Sequence, residues 1–198
     1  MNEFLLEILS GEIPARMQLE ASRQLGEKFA LGLDKEKLSS AEIKTFVTPK
    51  RLILYAKDIS TKTSSEVKEV RGPRVGSPNQ AIEGFLRSVN LNTIEQLQIK
   101  ETSNGSFYFA NIVSKNESIE TLLVKIITSM LNSFYWPKSM KWGEVSERWV
   151  RPIKNILCIF DDKILDFEYA KVKSSNKTYG HHVLSDKEIK VINFDQYK

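Results

Sequence analysis

Apolar and polar positions fall into two periods along this chain, one near two residues and one near four. Phe4 to Leu9 is an apolar run broken only by Glu7, which predicts a buried strand. Ser10-Gly11-Glu12 marks a turn, and Pro14 suits the first position of a helix, where its missing N–H leaves nothing unpaired. Met17, Ala21, Leu25 and Phe29 recur every four residues and give that helix one apolar stripe, with Gly32 read as its end. The stretch 34–40 is polar and fits a loop or a helical remnant. Residues 43–47 and 52–56 read as strands interrupted by Thr48-Pro49-Lys50-Arg51, the second of them buried on both faces. A polar turn at 60–65 leads into 66–70, whose alternation predicts a half-exposed strand. The strand delivers Arg71-Gly72-Pro73-Arg74-Val75-Gly76, read as a stiff loop with two arginines.

Residues 79–89 fit a short helix with Ile82, Phe85, Leu86 and Val89 on one side. Residues 97–102 and 107–113 flank Asn104-Gly105, a strong hairpin signal because both positions tolerate positive φ. Ser118 is placed to cap a helix whose apolar positions run from Ile119 through Leu123, Ile127 and Leu131 to Phe134, the clearest amphipathic pattern in the chain. That helix ends at Trp136-Pro137. Beyond Pro152, residues 156–160 and 164–169 flank Asp161-Asp162-Lys163 as a second hairpin, and 189–192 is a last short strand. The C-terminal stretch 194–198 carries no stop signal and reads as cut off before a further element. Three main helices among about nine strands predict an α+β fold with a mixed, mostly antiparallel sheet and hairpins. A chain of 198 residues fits one such domain, or two subdomains divided near residue 115.

Charge changes this picture locally. With 29 basic and 25 acidic residues the net charge is +4, which permits a polyanionic partner without requiring one. Between Lys50 and Arg74 there are seven basic residues against three acidic, a balance of +4 in that stretch alone. It suits phosphate contact and equally a solvated face. All three tryptophans, Trp136, Trp142 and Trp149, lie between positions 136 and 152, interleaved with Lys138, Lys141, Arg148 and Arg151. Rigid aromatics among cations can grip a phosphodiester backbone or stack on a base; the alternative is tryptophans in the core and cations on a solvated rim. The stretch joins the best amphipathic helix to a buried strand. It is therefore read as a rigid elbow whose tryptophans are anchors that hold Lys138, Lys141 and Arg151 outward.

Catalytic chemistry is not legible. There is no phosphate-cradling glycine loop and no paired C-x-x-C. His181 and His182, the only histidines, would point to opposite faces of a strand and are not read as metal ligands. Asp161 and Asp162 read as a hairpin tip rather than a carboxylate pair, and Cys158, the single cysteine, as a buried thiol in a reducing compartment. Asn116-Glu117-Ser118 and Asn176-Lys177-Thr178 match a glycosylation pattern, but the N-terminus lacks the pattern of a secretion signal. No apolar run is long enough to span a bilayer. The expectation is a soluble cytoplasmic protein with no catalytic residue, metal or cofactor of its own.

Several blocks together resemble the β subunit of the bacterial heterotetrameric glycine–tRNA ligase. They are Leu5-Leu6-Glu7-Ile8 with Gly11-Glu12-Ile13-Pro14-Ala15-Arg16-Met17, and Thr48-Pro49-Lys50-Arg51-Leu52. Next come Arg71-Gly72-Pro73 with Ala81-Ile82-Glu83-Gly84-Phe85-Leu86-Arg87-Ser88, and Pro137-Lys138-Ser139-Met140-Lys141-Trp142-Gly143. Val150-Arg151-Pro152-Ile153 and Gly180-His181 complete the series. Each is weak alone; in collinear order over almost the whole chain they are specific. Two departures stand out. The family usually has glycine-threonine-glutamate-glutamate where this chain has Leu9-Ser10-Gly11-Glu12, and arginine where it has His182. Lys138-Ser139-Met140-Lys141 also superficially resembles the lysine-serine loop of class I synthetases, in the wrong residue order.

The resemblance implies the N-terminal portion of a subunit several times longer. In that family the α subunit holds the class II core that joins ATP to glycine. The β subunit serves tRNA recognition and charging, with an HD-like domain and an anticodon-binding domain further along. The implied partners are the α subunit in an α2β2 tetramer and tRNA(Gly), with ATP used at the α subunit. The RNA-binding candidates are Lys50, Arg51, Arg71, Arg74, Lys138, Lys141, Arg151 and Lys154, Arg71 and Arg151 foremost because each sits beside a proline turn. The alternative is an architectural module that docks the α subunit or other domains without touching RNA.

Overall fold

The computed structural model describes residues 2–61, 67–89, 91, 93–102, 105–113, 117–181, 185 and 187–198. Most of the expected polar turn at 60–65, Asn104 and His182 lie outside the described residues. In chain order the elements are β1 (Glu3–Ser10), α1 (Ala15–Lys35), β2 (Leu38–Ser39), β3 (Glu42–Val47), β4 (Arg51–Lys57) and β5 (Ser60–Thr61). There follow β6 (Val67–Arg74), α2 (Asn79–Ser88), β7 (Gln98–Thr102) and β8 (Gly105–Val113). The rest comprises α3 (Ile119–Asn132), β9 (Ile153–Phe160), β10 (Lys163–Ile164), β11 (Glu168–Tyr169), β12 (Val172–Ser175), β13 (Lys177–Tyr179), β14 (Glu188–Lys190) and α4 (Phe194–Tyr197). The chain forms two compact units, Met1–Lys62 with Glu117–Lys198, and Thr63–Asn116.

The first unit is built on a seven-stranded sheet of order β11-β12-β9-β1-β4-β3, with β10 pairing to β9. Among its described pairings only β12–β9 is parallel. This is the expected α+β class. The central strands β1, β4 and β9 are covered on both faces, which is why their sequences run apolar instead of alternating. Phe4, Leu6, Ile8, Leu52, Leu54 and Ile156 face α1 and α3, where Phe4 stacks on Phe29 with ring centroids 5.1 Å apart. Leu5, Ile53, Tyr55, Leu157 and Ile159 face the other way and meet Val191 and Phe194 from the C-terminal segment. Tyr55 stacks on Phe194 at 4.0 Å between centroids and donates its hydroxyl hydrogen to Glu3 Oε1 at 2.7 Å.

Two helices show how local rules fare. Ser118 caps α3 as expected, its Oγ accepting from the Thr121 N–H at 3.2 Å. Helix α1 does not stop at Gly32 but continues to Lys35. Gly32 lies where the two helices touch: a Cβ built there would come within 2.5 Å of Ile126 Cγ2. Its missing side chain serves close packing of α1 on α3 and not termination.

The second unit is a three-stranded antiparallel sheet, β6-β8-β7, with α2 on one face. Ile82 and Leu86 of α2, with Phe85, pack on Val70, Tyr108 and Ala110. Gly72 lets the Phe85 ring lie against the β6 backbone, since a Cβ there would meet Phe85 Cε1 at 2.4 Å. Strand β6 runs through Arg74, so the expected stiff loop at 71–74 is strand, with its pairing to β8 shifting between Arg71 and Arg74. The bulge absorbs Pro73, which has no N–H to give the ladder.

Candidate nucleic-acid interface

The elbow between α3 and β9 is fixed from below. The buried Gln24 side chain on α1 donates through Nε2 to the Tyr135 carbonyl and accepts from the Tyr135 N–H, both at 3.1 Å. From there Trp136 turns into the core. Trp136 and Trp149 meet edge-on with centroids 5.1 Å apart, and Phe134 lies 5.0 and 4.9 Å from them. Met140 and Trp149 form a short bridge, with the Met140 N–H donating to the Trp149 carbonyl at 2.8 Å and the reverse bond at 3.1 Å. Trp149 is fully buried, Trp136 nearly so, and Trp142 is half-buried against the same core. A base has no open ring face to stack on at either residue, so Trp136 and Trp149 hold the elbow by packing. Lys138, Lys141 and Arg148 stay exposed. Arg148 donates to Ser139 Oγ at 3.1 Å and to the Ser139 carbonyl at 3.2 Å, which stiffens the turn that carries Lys138.

One end of the main sheet gathers further cations. The loop after β1 threads between two segments: the Ser10 N–H donates to the Lys50 carbonyl at 2.9 Å, Gly11 to Pro152 at 3.0 Å, and Ile13 to Pro49 at 2.6 Å. A Cβ on Gly11 would sit 3.0 Å from Arg151 Cβ, so the loop carries Arg151 against its backbone. These bonds bring Lys50, Arg151 and Lys154 to the same end of the sheet, where Arg151 and Lys154 are exposed. Arg16, exposed in the first turn of α1, follows the same loop and has no role legible in the sequence alone.

Arg51 is placed differently. Its side chain is 21% exposed, and its Nε donates to Glu7 Oε2 at 3.0 Å. Its Nη2 donates to the carbonyls of both Tyr179 and Gly180. Glu7 is wholly buried at the middle of β1 and also accepts from Thr178 Oγ1 at 2.5 Å and from the Tyr197 hydroxyl. Four distant segments thus meet on one carboxylate, and burial together with that carboxylate pushes the Tyr197 phenol well above its ordinary pKa. The single polar residue in an apolar run is visible in the sequence; its three donors, from positions 51, 178 and 197, are not.

Arg71 and Arg74 lie in the second unit, on β6. The Arg71 guanidinium stacks 3.7 Å from the centroid of the Phe107 ring. Arg74 lies over Gly105, whose φ of +111° is in the region that favours glycine; a Cβ there would come within 2.8 Å of Arg74 Nε. Phe107 and Phe109 occupy the sheet face opposite α2, flanked by Lys100, which pairs with Glu69 and lies 5.7 Å from the Phe109 centroid. The alternation of 105–113 carries these rings to that face, whereas the sequence pattern marks them only as strand.

Burial pushes the Cys158 thiol far up, which suits an inert core residue. Among the described residues no three His, Cys, Asp or Glu side chains converge as a metal set. No described helix is long and apolar enough to cross a membrane.

Comparison with known proteins supplies the remaining observation. The family described as glycyl-tRNA synthetase beta subunit matches residues 4–198. The glycine–tRNA ligase beta subunit of Rickettsia akari is 37% identical over 198 residues, covering 100% of this chain and 30% of the relative. The subunit of the same name from Rickettsia conorii is 35% identical over the same span, and that from Dinoroseobacter shibae 37% identical over 202 residues. The chain spans about 30% of the length of these relatives.

Proposed function

Because the chain belongs to the glycyl-tRNA synthetase beta subunit family, we propose that it supports recognition and charging of tRNA(Gly) beside a catalytic α subunit. In this reading it is an N-terminal part of the subunit with no complete active site, metal or cofactor of its own. ATP is used at the α subunit, in an α2β2 assembly in the cytoplasm. The observation that carries the reading is the convergence of Lys50, Arg151 and Lys154 at one end of the main sheet. Cations held on proline-stiffened backbone give a phosphate surface whose ordering entropy is already met. Lys138 and Lys141 are further exposed cations on the elbow of the same unit, and Arg71 and Arg74 offer a second basic surface on the other unit.

A specific observation favours a second reading. Trp136 and Trp149 serve the core and Arg51 is committed to Glu7, which suits a purely architectural module that docks the α subunit or other domains without RNA contact. Binding of a tRNA(Gly) transcript against salt separates the two. Replacing Lys50, Arg151 and Lys154 together by Ala reduces the slope of log K on log salt by about two to three, at roughly 0.7–0.9 for each phosphate that is no longer neutralised. An unchanged slope and affinity would overturn the RNA reading and leave the architectural one.

A further inference from the structure

The second unit has an open sheet face that the basic loops do not explain. Strand β8 is the centre of β6-β8-β7, and its residues alternate: Tyr108 and Ala110 pack under α2, while Phe107 and Phe109 lie on the other side, both half-buried. Directly across from them on β7 are Lys100 and Gln98, and on β6 Arg71 and Arg74, all exposed. No described helix of this unit covers that face; its one described α-helix is α2, on the reverse side. Two phenylalanines on the middle strand of a small sheet are a costly choice for a solvent-facing surface, since each leaves apolar area in water. They are also rigid, flat and spaced for successive planar groups, because same-face residues on a strand stand about 7 Å apart. Arg71 extends the platform: its guanidinium lies 3.7 Å from the Phe107 centroid and presents a second planar, cationic surface outward. Lys100 is placed over Phe109 in the same sense, though further away at 5.7 Å and shared with Glu69.

We propose that this face, Phe107 and Phe109 with Arg71 and Lys100, binds unpaired nucleotides of an RNA by stacking their bases on the Phe109 ring and on the Arg71 guanidinium that Phe107 supports. The proposal rests on the RNA-contact reading and narrows it to single-stranded RNA on the second unit. Aromatic faces accept any base, and the neighbouring cations meet the backbone phosphates, so the site is tolerant of sequence and selective for unstacked bases. Glu69 is the one acid among the groups named, and its pairing with Lys100 limits its repulsion of phosphate.

The test uses the 198-residue chain and two labelled RNAs, an unstructured single strand of about 12 nucleotides and a blunt duplex of similar length, within the span such platforms cover. Phe107→Leu with Phe109→Leu keeps apolar bulk and removes the rings. It is expected to weaken single-strand binding by about tenfold or more while duplex binding and its salt slope stay within roughly twofold. Phe107→Tyr with Phe109→Tyr keeps the rings and is expected to retain single-strand affinity, which separates stacking from damage to the unit. Single-strand affinity unchanged in the leucine pair overturns the proposal, as does equal loss for single strand and duplex, or loss in the tyrosine pair. Retained RNA binding with lost α-subunit binding in the leucine pair overturns it in favour of a protein-docking face. If the unsubstituted chain binds neither RNA, the RNA-contact reading falls as well; if it binds both and ignores the leucine pair, only this proposal falls.

Discussion

Arg51→Ala is expected to be among the most damaging single substitutions of a charged residue in the chain, through stability and not through RNA. Glu7 is wholly buried and Arg51 supplies its only cationic partner among the described contacts, at 3.0 Å. Removing one member of a buried pair leaves an uncompensated charge in low dielectric, which costs about 3–5 kcal/mol. Two things push the figure toward the lower end. Arg51 is 21% exposed, so water can partly replace it, and the hydroxyls of Thr178 and Tyr197 still donate to the carboxylate. The expectation is a loss of about 3 kcal/mol, a large share of the roughly 5–15 kcal/mol that holds a typical domain folded. With a urea slope of about 2 kcal/mol per molar, the midpoint falls by about 1.5 M. Tryptophan fluorescence is the natural readout because all three tryptophans belong to the unit that contains Glu7. A second variant checks the cause. Arg51→Met with Glu7→Gln removes both charges and leaves an amide oxygen to accept from Thr178 and Tyr197, and should recover more than half of the loss. A midpoint for Arg51→Ala within about 0.3 M of the parent, or a double variant no better than the single one, would refute the buried-pair reasoning.

Other expectations follow from single contacts. Gly32→Ala would normally gain up to about 1 kcal/mol inside a helix, but the clash with Ile126 at 2.5 Å makes it destabilising by about 1–3 kcal/mol; a raised melting temperature would show that α1 and α3 are not so closely packed. Ser118→Ala removes the cap on the Thr121 N–H and should cost about 1 kcal/mol, read as a lower thermal midpoint, whereas Ser118→Asp should retain it. Burial and the Glu3 hydrogen bond push the Tyr55 phenol up to about 12 from its ordinary 10.0, so folding holds its proton. That contribution is complete below pH 10 and is lost as pH climbs toward 12; Tyr55→Phe should flatten the stability curve over that window, and an unchanged alkaline limb would count against it.

The parts of the fold that were legible depend on short-range pattern. Apolar runs at 4–9, 52–56 and 156–160 became the central strands, and Ser118 capped its helix, because burial on both faces and capping both write themselves into neighbouring residues. Asp161 and Asp162, with φ of +49° and +62°, turn β9 into β10, although β10 is only two residues long and the expected strand to 169 breaks up. What was not legible depends on partners far away in sequence. Gly32 looked like a stop because the sequence does not show that Ile126 packs on it. Arg51 looked like a surface cation because its acid lies 44 positions earlier, inside an apolar run. The site followed the same division: proline beside arginine was visible, but which loops meet at the sheet end is set by backbone bonds from residues 10–13 to 49–50 and 152. The ring face of 107 and 109 was encoded in alternation, yet which face α2 covers is a tertiary choice.

The most direct test of an RNA-supporting, non-catalytic role places Lys50→Ala, Arg151→Ala and Lys154→Ala together in a full-length β subunit assembled with its α subunit. Charging of tRNA(Gly) and glycine-dependent ATP–pyrophosphate exchange are then measured on the same preparation. With three phosphates no longer neutralised, the KM for tRNA is expected to rise by about tenfold or more at moderate salt while exchange stays at the parent level. Charging at the parent level, or an equal fall in exchange, would contradict it.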